Sequence, residues 1–114
     1  MRNLIIAAFI TITTITSAFA DEVQIPRSAP GDRGQYFLLE AVWKGTTVST
    51  LHKRIGVDTV GFTRLEIDCA KRLVRDTGYG EGSLDAIKPI TSDWYELFPG
   101  SSKSDLVNFV CSRR

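Results

Sequence analysis

The sequence is short of the residues that carry most protein chemistry. It holds one histidine and two cysteines among 114 residues. A single histidine cannot build a multi-histidine metal cage. No Cys-x-x-Cys spacing poises two thiols against each other, and no Gly-x-Ser-x-Gly elbow presents a nucleophilic serine. No metal or cofactor site is expected, and the chain reads as non-enzymatic. An excess of charge is missing too: 14 Lys and Arg face 13 Asp and Glu. Nothing electrostatic therefore argues for nucleic acid or an anionic membrane as partner.

A long apolar run is also absent, and the one that comes nearest has a different explanation. Arg2 is followed by the apolar, Thr-rich stretch Leu4 to Ile15 and then by Ala18-Phe19-Ala20. A positive start, a short apolar core and a small-x-small end make residues 1–20 a secretory signal peptide. The run is too short and too broken by Thr for a span of about 20 apolar residues, so no stable membrane insertion of the mature chain is expected. Arg2 is the only charge removed with it, which brings the basic side chains level with the acidic ones.

What remains is one small domain, marginally stable by size. Export makes a disulfide the expected state of an even cysteine count. Cys69 and Cys111 allow a single pairing, which closes a large loop; the chain-entropy model assigns such a loop about 4 kcal/mol.

Along the chain, residues 21–35 combine Pro26, Pro30, Gly31 and Gly34 with charges, the composition of a flexible N-terminal arm. The single domain then covers 36–114. Tyr36 to Trp43 alternates as a strand, although its Leu-Leu-Glu-Ala run also suits a helix. Thr47 to Ile55 is rich in β-branched residues, a strand with one solvated side. Phe62 to Cys69 places Thr63, Leu65, Ile67 and Cys69 on one side and Arg64, Glu66 and Asp68 on the other. Ala70-Lys71-Arg72 is short enough only for a tight turn, so Leu73 to Asp76 returns antiparallel. The glycines at 78, 80 and 82 read as a loop over Gly78 to Ser83 with Tyr79 at its tip; Glu81 within it and the lack of a Lys-Ser/Thr ending argue against a phosphate cradle. Pro89 forbids a helix through residues 84–93.

Pro99-Gly100 breaks the chain before Ser101, Ser102 and Ser104, which offer N-caps for a final helix. With Ser102 as cap, Asp105 falls at the third helical position. Leu106, Val107, Val110 and Cys111 share a stripe, leaving Lys103, Ser104 and Asn108 outward. The expected fold is α+β: an antiparallel meander with a C-terminal helix packed on the face that carries Cys69 and tied there by the disulfide.

Large and charged side chains supply the candidate binding residues. Trp43 and Trp94 belong to the residue type most concentrated at interface hot spots, Tyr79 sits among the glycines, and Arg64 lies on the polar side of its strand. Arg64, Arg72 and Arg75 are placed to pair with Glu66 and Asp68 across strands. His52 is flanked by Lys53 and Arg54 and reads as part of a solvated basic face, not as an acid or base.

Ile67-Asp68-Cys69, Arg75, Trp94 followed by Phe98-Pro99-Gly100-Ser101, and a terminal segment ending in Val110-Cys111 together resemble the surface-adhesin protein E family of Gram-negative bacteria. The likeness runs over about residues 36–111. Lys53-Arg54 and Gly61-Phe62-Thr63-Arg64 also look like segments of small exported proteobacterial proteins. The resemblance implies a curved antiparallel sheet with a disulfide-held helix, a place in the periplasm or at the cell surface, and contact with host-matrix proteins. The founding members are lipoproteins, whereas here Asp21 and not a cysteine stands directly after Ala20. The alternative, from another class, is a periplasmic inhibitor or accessory protein docking on an envelope enzyme, with the Gly78 to Ser83 loop as its plug.

Overall fold

The structure is a computed structural model that describes residues 22–29 and 31–113. The expected signal peptide lies outside the described residues. Four long strands carry the fold: β2 (Gln35–Lys44), β3 (Thr47–Ile55), β4 (Val60–Asp68) and β5 (Leu73–Glu81). Short strands β1 (Val23–Gln24), β6 (Lys88–Pro89) and β7 (Tyr95–Glu96) border them, and helix α1 spans Ser102–Cys111. All pairings are antiparallel in the order β1-β2-β3-β4-β5-β6, with β7 also on β5. The expected meander and terminal helix are both present.

Helix α1 lies on one face of the sheet because its stripe finds apolar partners there. Leu106, Val107 and Val110 bury against Val48 of β3, Leu65 and Ile67 of β4 and Val74 of β5. Pairings Val48↔Ile67 and Ile67↔Val74 put these strand residues on the same face. Cys69 joins Cys111 across 42 residues with Cα atoms 5.7 Å apart, so the helix end is bonded to the sheet it covers. Burying these aliphatic side chains contributes about 1.5–3 kcal/mol each.

The opposite face holds a second, smaller cluster of Leu39, Leu51 and Phe62, with Phe37, Val60 and Ile87 at its border. Strand β3 is therefore buried on both sides through Leu51 and His52, which corrects the expectation of one solvated side. Bulges between Leu38 and Glu40 and between Arg64 and Leu65 shift the register on its neighbours.

The arm departs from the expected absence of order. Ile25 is in the main core, and its amide donates to Tyr36 O. Asp105 explains the rest: its carboxylate accepts from Arg27 Nε at 2.7 Å, Ser28 N at 3.0 Å and Ser28 Oγ at 2.6 Å. The helix cap is Ser101, one residue earlier than expected, with Ser104 N donating to its Oγ. The shift moves Asp105 to the fourth position, where it holds the arm. Ser104 is buried rather than outward.

The Gly78 to Ser83 loop is a correction of the same kind. Gly78 to Glu81 belong to β5, paired with β4 and β6, and only Gly82 and Ser83 turn. Gly80 is required by packing: a Cβ there would lie 2.5 Å from the backbone of Ala86 in the 3-10 turn that follows.

Candidate functional site

Beyond the first turn of α1 the helix-bearing face is uncovered, and a cavity of about 360 Å³ opens there. Alternation places its lining. His52 and Arg54 extend the row begun by Val48 and Thr50 on β3; Thr63 and Gly61 are their β4 partners, and Tyr79 pairs with Thr63 from β5. Tyr36 closes one side, Ile90 another, and Ser102 and Lys103 bring the helix N-terminus to the rim. Tyr79 lies over Gly61, where an added Cβ would meet the phenol at 3.4–3.9 Å, an ordinary packing distance.

His52 is the group the sequence placed wrongly. It is 6% exposed, and its Nδ1 is buried without a hydrogen-bond partner among the described residues. Burial, then the positive charge of Lys103, pull its pKa down to about 4 against a smaller opposing pull from Asp76. The imidazole is neutral at physiological pH. Basic flanking residues concealed this, yet Lys53 belongs to the other face by alternation. The signal that could have found it was the same-side row Val48, Thr50, His52.

Both cations of the cavity are held by networks. Lys103 Nζ donates to Tyr95 Oη at 2.6 Å and Asp76 Oδ1 at 3.1 Å, and Tyr95 Oη donates to the same Asp76 oxygen at 2.7 Å. Lys103, expected outward, thus faces the cavity. Its pKa is raised: burial works to lower it, but the bonds to Tyr95 and Asp76 prevail. Arg54 donates from Nε to Tyr36 Oη at 3.0 Å and from Nη2 to Asp32 Oδ1 at 2.9 Å. Tyr36 in turn donates to Asp32 at 2.5 Å, and that bond, with the Gly34 amide and Arg54, pushes the Asp32 carboxyl well below the usual range.

The four candidate binding residues do not form one site. Tyr79 lines the cavity, and its hydroxyl donates to Glu81 at 3.0 Å. Trp43 packs against the main core beneath the helix face. Arg64 is on the opposite face, 3.6 Å from Glu40. Trp94 is exposed beside Arg75, whose guanidinium lies 4.8 Å from the ring centroid. The expected cross-strand pair forms between Arg75 and Glu66 at 2.9 Å, whereas Asp68 instead accepts from the Lys71 amide in the turn.

A second surface follows β5. From Leu84 to Phe98 the chain exposes Leu84, Ile90, Trp94 and Phe98, the last at 79%. Among the described residues no group of three or more His, Cys, Asp or Glu could hold a metal ion, and no helix is long and apolar enough to cross a membrane. No protein-family model, curated protein or solved structure matches the chain.

Proposed function

We propose that the chain is an exported, non-enzymatic binding domain whose partner is a protein, in the manner of surface-adhesin protein E. The carrying observation is the exposure of Trp94 and Phe98 in the segment after β5. Single exposed apolar side chains are ordinary, but a tryptophan steadied by Arg75 and a nearby exposed phenylalanine are the kind of aromatic anchors that a partner takes up. The β5 edge beneath this segment is occupied by β6, β7 and the bonds Ile90 N to Thr77 O and Ser92 N to Asp76 O. A partner would therefore meet side chains and not an open strand. The disulfide supports an oxidising compartment, periplasm or cell surface. The accessory-protein alternative loses its plug, because Tyr79 sits in a strand.

Retention of the purified protein on immobilised host-matrix proteins and on a Gram-negative envelope fraction tests the reading and separates the two locations. Replacing Trp94 and Phe98 together by Ala should weaken retention about tenfold or more, the scale of one lost hot spot. Absence of retention on both, or an unaffected double variant, would refute it.

A further inference from the structure

The cavity at the open end of the helix-bearing face has the make-up of a site in its own right. Its floor is a histidine more than nine-tenths buried with no hydrogen bond to Nδ1. Leaving a lone pair without a partner is less costly than leaving a buried N–H so, which favours the tautomer with its proton on Nε2. With Nδ1 buried, the ring edge bearing Nε2 is the one left to line the cavity, and it offers a neutral donor. The rim adds the amides of Ser102 and Lys103: the Ser101 cap takes the Ser104 amide through its hydroxyl and the Asp105 amide through its carbonyl. Among the described residues nothing accepts from the first two amides of the helix, at the end where a helix favours negative charge.

Both lining cations are paired, Arg54 with Asp32 behind the lining and Lys103 with Asp76 within it, so the cavity holds no surplus charge. What favours an anion is its set of donors, the amides at the helix N-terminus and the imidazole N–H. With no net charge to offset a second negative charge, a monoanion suits it better than a phosphate dianion. The rings of Tyr36 and Tyr79 and the side chain of Ile90 provide apolar wall. A volume of about 360 Å³ lies at the small end of ligand sites.

We propose that this cavity binds a carboxylate carried on an aromatic or apolar body, with the anionic end toward His52 and the helix N-terminus and the body between Tyr36 and Tyr79. Two sources share that chemistry, a free organic acid and the C-terminal residue of a protein chain. Only the second rests on the protein-binding function proposed above.

Calorimetric titration with N-acetyl-L-phenylalanine, 3-phenylpropionate and N-acetyl-L-phenylalaninamide tests it. At least one acid should bind with a Kd of about 1 mM or tighter, and the amide about tenfold more weakly. Preference for the acetylated amino acid assigns the chain-end source; equal or better binding of phenylpropionate assigns the free acid. Lys103→Met and Arg54→Gln should each weaken the acid, with amide-proton shifts on titration centred on Ser102, Lys103 and Tyr79. The solvent-side Arg54 variant keeps the test valid should Lys103→Met fail to fold. Failure of both acids to bind, equal binding of acid and amide, or shifts centred elsewhere would overturn the proposal. The outcome is independent of the Trp94 and Phe98 variants, so the two functions can fail separately.

Discussion

The two ends of the helix-bearing face are built from the same strands and border the same helix, yet they are opposite in character. At the Cys69 end, Val48, Ile67 and Val74 are buried under Val107 and Val110, and the disulfide holds the helix down. At the Ser101 end the same rows continue into His52, Thr63 and Asp76, and the helix has run out. The closed end has apolar atoms and a covalent bond; the open end has polar atoms, some without partners. Residues that specify one fold normally satisfy their buried polar groups, so the unsatisfied histidine marks where the molecule gives up stability for a cavity.

The largest expected effect is at the closed end. Cys111→Ala should cost about 2–5 kcal/mol in urea unfolding, while leaving the backbone amides of the cavity in place. Equal midpoints with and without reductant would show that the helix needs no cross-link.

At the open end, acid is the sharper probe. The folded-state pKa of His52, about 4, lies below its ordinary 6.5, so the unfolded chain takes the proton first. Stability should be full above pH 6.5, fall as pH drops toward 4 by about 3 kcal/mol in all, and then level for this group. Lys103 and Asp76, which face the imidazole, act in opposite directions on that fall. His52→Leu should flatten the slope between pH 6.5 and 4; an unchanged slope would assign it to other groups. Asp32 and Asp105 have lowered pKa values. Their contribution is present above about 3.8 and is lost only below it, which separates the two windows.

The arm that borders both ends gives a smaller effect. Asp105→Asn should cost about 2 kcal/mol, because the carboxylate that it replaces is buried and accepts three bonds. Protease cleavage near Arg27 should become faster in that variant. Smallest is the partly exposed Glu66–Arg75 pair on the opposite face, where Glu66→Ala should change stability by about 1 kcal/mol.

How much of this was legible depended on whether a residue's surroundings were local. The strand over Leu65 to Cys69 and its helix partner could be read, because a period of two and an apolar stripe are local patterns, and two cysteines allow only one intramolecular pairing. The cavity could not. Tyr79 was concealed by the glycines around it, of which Gly80 serves close packing against the Ala86 backbone, a contact that only the fold brings about. His52 was concealed by a strand buried on both faces, where alternation no longer says which side is wet. The arm was misjudged because its anchor, Asp105, lies 77 positions away from Ser28.

Helix α1 follows the entire meander in chain order, and this has a consequence for the protein's birth. A chain is made from its N-terminal end, so Val48, Leu65, Ile67 and Val74 exist before any part of the helix that covers them. During that interval the sheet has a naked apolar floor, and Cys69 is without its partner. Only the arrival of Cys111 ends that exposure, and the last helix is thereby both lid and lock of the newborn molecule.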